Sequence, residues 1–352
     1  MLVDGDGDGD GGRHGGLAAP VRAERDPGGE RVAGAGPAVR GQPSADAVTY
    51  EKIFSCKLGL MADKIAVIGA GAIGGVLTQA AYQAGHDVTL CVRTPIPSLS
   101  VRSDGDTRQV PVRITADPGS PAGPADWILL TTKGHQTAGA APWLRRLAGP
   151  GTVVVAVQNG VEHTERLAPL RLPGPVLPAL AYIAARREAP GQVVHVSGRH
   201  VVVPQDAAGT ALAALLADGP VDVELSPDFL TAAWRKLLTN VAANPVTALT
   251  GRTLGVLGSP GILTLVHGLL TEAVAAGTAA GARLSAADVA DTLDFYARFD
   301  AGAGTSMLED RLAGRPTEHE EITGAVVRAA HRHGVDAPLN RAVLALLAAA
   351  ST

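Results

Sequence analysis

The segment WRKLLTNVAANP sets Lys236, Asn240 and Asn244 at i, i+4 and i+8. On one continuous α-helix this spacing puts an ammonium and two amides on one face, drifting only slowly around the axis. Trp234, Leu237, Leu238 and Val241 make the neighbouring positions apolar, so the polar stripe is expected in a partly buried setting. Buried amides and ammonium groups need partners. A bound polar substrate would supply them; the alternative is an exposed stripe on an ordinary amphipathic helix.

A second constellation lies far upstream. Gly69, Gly71 and Gly74 make G-x-G-x-x-G between the apolar run Ile65 to Ile68 and a helical pattern over Ile73 to Ala84. In a strand–turn–helix setting the first glycine permits the tight turn. The second lets a pyrophosphate approach the backbone, and the third lets helix and strand pack closely. Gly69, Ala70, Gly71, Ala72, Ile73 and Gly74 are therefore the expected dinucleotide cradle. The second strand, Val88 to Val92, ends in LCVRTP, with Arg93 and no acid. An acid there would favour NAD; a guanidinium suits a 2′-phosphate and favours NADP(H). The competing reading makes Arg93 a solvated loop charge, as Arg102 and Arg108 are taken to be.

The elements that must position these groups follow from hydrophobic periodicity. KIAVIGAGAIGGVLTQAAYQAGHDVTLCVR reads as a βαβ unit, its helix stopped by Gly85. Strand-like runs follow at VPVRIT, DWILLTT and TVVVAVQNG, with a helical GAAPWLRRL between the last two. VVHVSGRHVVVP suggests a hairpin turning at Ser197-Gly198. From Pro227 the chain turns helical: DFLTAAWRKLLTNVAAN, PGILTLVHGLLTEAVAAGTAAG, SAADVADTLDFYARF, TEHEEITGAVVRAAHRHG and PLNRAVLALLAAA. Ser285 and Thr317 suit N-caps, Gly334 a C′ stop and Pro338 a first helical position. The expected class is α/β: a doubly wound, Rossmann-like parallel sheet domain over 61–226, then an all-helical substrate domain over 227–352, with a cleft between them.

The 352 residues are 46% hydrophobic and carry a net charge of -4, enough for two cores and without a basic footprint for nucleic acid. No apolar run approaches the ~20 residues of a membrane span. Two cysteines, Cys56 and Cys91, offer no disulfide framework and suit a reducing cytoplasm, with Cys91 a core residue rather than a nucleophile. His331 and His333 are two apart on a helix and make a poor metal pair, so no metal is expected. Residues 1–60, opening GDGDGDGG, are rich in Gly, Pro, Asp and Arg and read as a disordered extension. The expectation is a start assigned too early, with the natural start at Met61; a regulatory tail is the alternative.

Residues 61–350 resemble the ketopantoate reductase family (2-dehydropantoate 2-reductases). The matching pieces come in the family's order: GAGAIGG, TTKGHQ, QNGVEHTERL, AARR, WRKLLTNVAANPVTAL, TSMLEDRLAGRPTEHEEITG and HGVDAP. The resemblance implies reduction of an α-keto acid by NADPH on the route to pantothenate. It implies Lys236 as proton donor to the ketone oxygen, and Asn240, Asn244 and Ser306 as substrate contacts. Asn159 would lie near substrate and nicotinamide ribose, Arg93 and Lys133 at the 2′-phosphate, and Ala185 would touch the cofactor through its backbone. Glu318 would face the active site and cofactor, while Thr317 with Glu320 reads as a capping box. Leu254 stands where the family commonly has a substrate-binding asparagine, which leaves a different 2-keto acid as an alternative substrate. A nucleotide-binding sensor without turnover is a third reading, disfavoured by the intact Lys236, Asn240, Ser306 and Glu318. The helical part has apolar faces enough for a homodimer; nothing in the sequence decides the number of copies.

Overall fold

A computed structural model describes residues 62–351. The extension 1–60, Cys56 and the start expected at Met61 lie outside the described residues.

The chain begins with β1 (Lys64–Ile68), whose last four residues are fully buried, followed by α1 (Ala72–Gln83) and β2 (Asp87–Cys91). Gly85, with φ 87°, ends α1 as a C′ residue, and the next amide, of His86, closes back on the Ala81 carbonyl at 3.2 Å. The remaining sheet elements are β3 (Leu99–Ser103), β4 (Asp106–Val110), β5 (Arg113–Thr115), β6 (Trp127–Leu130), α2 (Thr137–Leu147) and β7 (Val153–Val157). Then come α3 (His163–Leu167), β8 (Val176–Ala189), β9 (Gln192–Pro204), α4 (Ala207–Leu216) and β10 (Asp222–Ser226).

Six strands, in the order β8-β7-β6-β1-β2-β5, pair in parallel. Strand β8 leaves this sheet after Ala179 and continues into a second one. There it runs antiparallel to β9, and β9 pairs in parallel with β3 and β10. Apolar clusters fill both faces of the parallel sheet, as near-continuous runs such as VVVAV require.

Two expectations are corrected here, and one hairpin is added. The hairpin turns at Pro190-Gly191, where Gly191 has φ 77°, and not at Ser197-Gly198; Gly198, φ 68°, is a kink inside β9. The strand expected over VPVRIT is divided, because Pro111 cannot donate to a ladder and separates β4 from β5. The β3–β4 hairpin was not expected at all. Its turn, Asp104 (φ 52°) and Gly105 (φ 85°), has the left-handed pair that Asp-Gly favours.

The helical part comprises α5 (Phe229–Val241), α6 (Ala243–Thr250), α7 (Pro260–Ala279), α8 (Ala286–Ala297), α9 (Ser306–Leu312), a π-helical turn Glu320–Gly324, α10 (Ala325–His333) and α11 (Pro338–Ala350). Ser285 caps α8 in a capping box with Asp288, Gly334 (φ 68°) stops α10 and Pro338 opens α11. Helix α7, 20 residues long, is apolar enough by length and composition to cross a membrane, which corrects the expectation that no segment is. Its face Val266, Leu269, Leu270, Ala273 and Ala276 is buried in the apolar cluster that the other helices share.

Candidate active site

The carboxyl edge of the parallel sheet gathers the expected cofactor residues. Since β7, β6, β1 and β2 are neighbours, their following loops set Asn159, Lys133, the glycine turn and Arg93 in that spatial order. A crevice at this edge is where open α/β sheets bind ligands.

The three glycines do three different things. Gly69 has φ 114°, its N–H donates to the Cys91 carbonyl at 2.9 Å, and its own carbonyl accepts from Thr131 Oγ1 at 2.9 Å. A Cβ on Gly74 would stand 1.9 Å from the Gly69 oxygen, so only glycine lets α1 begin this close to the turn. A Cβ on Gly71 would meet nothing within 4 Å. Gly71 is also the N-cap of α1 and offers no side chain to the first-turn amides, and that turn carries no acid. Amides of this kind are an anion site. Ala70 and Ile73 pack on the apolar cluster beneath, and Ala72 starts the helix.

Gly74→Ala is accordingly expected to lower stability by about 1–3 kcal/mol through overpacking. Gly71→Ala is expected to leave Tm unchanged and to weaken dinucleotide binding. Thermal melts with and without added dinucleotide separate the two, and equal Tm losses would contradict these assignments.

The two cations expected at the 2′-phosphate differ. Arg93 lies two residues beyond β2, exposed and without an ion pair among the described residues. Lys133, after β6, has its ammonium on the buried Asp310 carboxylate of α9, whose other oxygen accepts from Arg315 Nε at 3.0 Å. Lys133 therefore ties the cofactor edge to the helical part and is not a free cation. Ala185 sits on β8 opposite His195, packed on the same apolar cluster as Ala70 and Ile73.

The loop after β7 is held from four sides. Gln158 Nε2 donates to the Thr132 carbonyl at 2.9 Å, and Arg166 donates to Gln158 Oε1 at 3.0 Å and to the Asn159 carbonyl at 3.3 Å. His163 is buried, which pushes its pKa down to about 4, so a neutral ring meets the Gln158 carbonyl at 2.8 Å. Glu318 joins two loops: it accepts from Asn159 Nδ2 at 3.1 Å and from the Gly134 amide at 3.3 Å. Glu321 lies against Gly134, and burial together with the Glu318 charge holds its carboxyl above the usual range. The expected capping box is absent. Thr317 Oγ1 meets His319 Nδ1 at 2.8 Å, while the Glu320 carboxylate pairs with Arg328 at 2.7 Å.

Helix α5 carries Lys236. Asp228 caps it, accepting from the Thr231 amide at 3.2 Å, and Trp234, Leu237, Leu238 and Val241 bury its inner face. The Lys236 ammonium lies 4.8 Å from the centre of the Tyr182 ring and has no ion-pair partner among the described residues. Burial lowers its pKa.

The single stripe expected over 236–244 is corrected, because the helix breaks at Ala242. Pro245 has no N–H for the Val241 carbonyl and its ring crowds that oxygen. The buried Tyr296 hydroxyl fills the break, donating to the Leu238 carbonyl at 2.9 Å. Lys236 and Asn240 thus share a face of α5, and the buried Asn244 lies in the first turn of α6. Thr247, one turn on, meets Thr305 Oγ1 at 2.6 Å. Thr305 caps α9, so this contact brings Ser306, the first residue of α9, beside the helix of Asn244. The π turn that follows Glu318 packs against α5. Leu254 packs on the apolar cluster of the helical part, with its amide on the Ala303 carbonyl at 2.9 Å.

Tyr182, Gln158, Arg166, Asp310 and Glu321 were not foreseen. Only Asp310 had a sequence signal, since it stands at i+4 from Ser306 and shares its helix face. The Cys91 thiol is pushed up to about 12 by burial, which suits a core residue.

Two family models cover these two parts. The one described as ketopantoate reductase PanE/ApbA matches residues 65–223, and the one described as its C terminal matches residues 228–351. A 2-dehydropantoate 2-reductase of Caulobacter vibrioides is 38% identical over 288 residues, covering 82% of this chain and 99% of its own. One of Mycobacterium tuberculosis is 37% identical over 292 residues, covering 83% and 99%. Among solved structures, a dimeric ketopantoate reductase from Staphylococcus aureus superposes with a TM-score of 0.75 at 26% identity, covering 82% of this chain and 98% of that one. A PanE/ApbA family ketopantoate reductase from Ralstonia eutropha JMP134 gives 0.75 at 29%, with the same coverage.

Proposed function

The chain belongs to the ketopantoate reductase family, and from that membership we propose that it reduces 2-dehydropantoate to pantoate with NADPH. NADPH, when bound, supplies the hydride that reaches the ketone carbon. The residues fit it: open space over Gly71, first-turn amides on α1 with no side-chain cap for the pyrophosphate, and an exposed Arg93, without an ion pair among the described residues, for the 2′-phosphate. In this reading residues 61–226 bind the cofactor and 227–352 the substrate.

The observation that carries the reading is Lys236, a half-buried ammonium with no carboxylate paired to it among the described residues, on the helix that packs against the Glu318 segment. A ketone oxygen that is becoming an alkoxide needs a positive charge and a proton at the same moment, and a lysine ammonium supplies both. Asn240, Asn244 and Ser306 orient the keto acid toward it, Ser306 at the carboxylate end. Glu318 fixes the Asn159 amide and the Gly134 loop, so that the cofactor edge and the substrate helices meet with defined geometry. Burial has a sign here: lowering the Lys236 pKa brings loss of the proton closer to neutrality, so kcat/KM falls as pH rises through that value. The dimeric Staphylococcus aureus relative supports a homodimer, and the cytoplasm, where the substrate and NADPH would be supplied, is the proposed setting.

One observation favours a second substrate. Leu254 presents an apolar side chain where the family has a hydrogen-bonding asparagine, and it packs on the helical core. Steady-state NADPH oxidation with 2-dehydropantoate beside a panel of 2-keto acids separates the readings. The highest kcat/KM is expected for 2-dehydropantoate; a markedly higher value for another acid would transfer the assignment to it.

A further inference from the structure

The Lys236 ammonium lies over the ring of Tyr182, 4.8 Å from its centre, and among the described residues it has no ion pair. The ring itself cannot move freely. It stacks on His200, its cross-strand partner, at 4.7 Å between centres and 7° between planes. Just past Tyr182 the register of β8 on β9 slips, and Gly198 kinks there. A Cβ on Gly198 would stand 2.4 Å from the Tyr182 carbonyl, so the kink needs glycine and sets the height of the tyrosine backbone. Strand β8 has by then left the parallel sheet, which carries Tyr182 under α5.

We propose that Tyr182 is the positioning residue of the proton donor: its ring face holds the Lys236 ammonium in place and keeps it charged where no carboxylate among the described residues pairs with it. This rests on the reading of Lys236 as the donor. The negative face of an aromatic ring attracts a cation most when water is excluded. The surrounding charges leave that task to the ring. Asp228 pairs with Arg283 at 2.8 Å and Asp288 pairs with Arg235 at 2.7 Å, so neither acid nor either arginine is free. Burial, and after it the charge of Glu224 on β10, raise the Tyr182 pKa, keeping the ring a neutral phenol. Glu318 and Glu321, on the segment against α5, and His163, on the helix against β8, make no ion pair with Lys236 either.

The test compares Tyr182→Leu and Tyr182→Phe in the full chain by two readouts. The first is the pH profile of kcat/KM. The second is the pH dependence of Lys236 acetylation by acetic anhydride, followed by peptide mass spectrometry, which needs no turnover. For Tyr182→Leu the basic limb and the labelling midpoint should both move to lower pH by about 0.4–1.5, while Tyr182→Phe should keep the wild-type values. NADPH affinity should be unchanged in both. A labelling midpoint in Tyr182→Leu that stays in place or rises would overturn the proposal, as would a Tyr182→Phe that behaves like Tyr182→Leu. If the wild-type protein reduces no 2-keto acid, the donor reading fails, and the labelling midpoint still reports on the ring alone.

Discussion

Replacing Lys236 by alanine is expected to lower kcat/KM by about 10²–10⁴-fold, the usual contribution of a positioned general acid, and to leave NADPH affinity near the wild-type value. The first half follows from chemistry. Without the ammonium, hydride arrival at the carbon builds an alkoxide with neither a counter-charge nor a proton source, and water must provide both. The second half follows from position. Lys236 is on α5, whereas the glycine turn, Arg93 and the amides of α1 are on the sheet. Stability should not suffer, because among the described residues the half-buried ammonium has no ion-pair partner to leave uncompensated, and its removal relieves a desolvation cost. Single-turnover kinetics together with a fluorescence titration of NADPH give both halves. Loss of NADPH binding would remove Lys236 from the role of donor and make it a cofactor residue.

The second large effect is expected at Arg93. Arg93→Asp should weaken NADPH by about 10–150-fold, the range of a charge-assisted hydrogen bond, and NADH far less. The guanidinium is exposed and makes no ion pair among the described residues, so Tm should stay constant. Lys133 is not available to compensate, because Asp310 holds its ammonium and Arg315 shares that acid. Titrating both nucleotides against both proteins decides the point. Equal losses for NADPH and NADH would mean that Arg93 acts on something common to the two, and the 2′-phosphate assignment would fall.

The parts of the fold that local chemistry dictates were legible in the sequence. The βαβ unit announces itself through a buried run, three glycines and a glycine stop, and the structure keeps each within a residue. Ser285, Gly334 and Pro338 act at the helix ends where their backbone preferences suit them. The errors arose where tertiary contacts outweigh local patterns. Ser197-Gly198 looks like a hairpin turn, yet Gly198 serves a kink under Tyr182 while Gly191 makes the reversal. Lys236, Asn240 and Asn244 look like one stripe, and the clue against it, Pro245, was present in the sequence. What restores the broken hydrogen bonding is Tyr296, more than fifty residues away, which no window of sequence could supply. The same holds for the Tyr182 ring beneath Lys236 and the Asp310 carboxylate on Lys133: each pair is joined only by the fold. Thr317 and Glu320 had the spacing of a capping box, but Arg328 competes for the acid and His319 for the hydroxyl.

The central claim is that hydride passes from NADPH to the ketone carbon of a 2-keto acid held against Lys236. Its most direct test is isotope transfer. The full chain is incubated with 2-dehydropantoate and NADPH deuterated stereospecifically at C4 of the nicotinamide, and the pantoate formed is examined by mass spectrometry. One of the two C4 isotopomers should yield pantoate carrying deuterium at the former ketone carbon, with the Lys236→Ala protein making almost none. Unlabelled pantoate from both isotopomers, or no pantoate from a protein that binds NADPH tightly, would contradict the account.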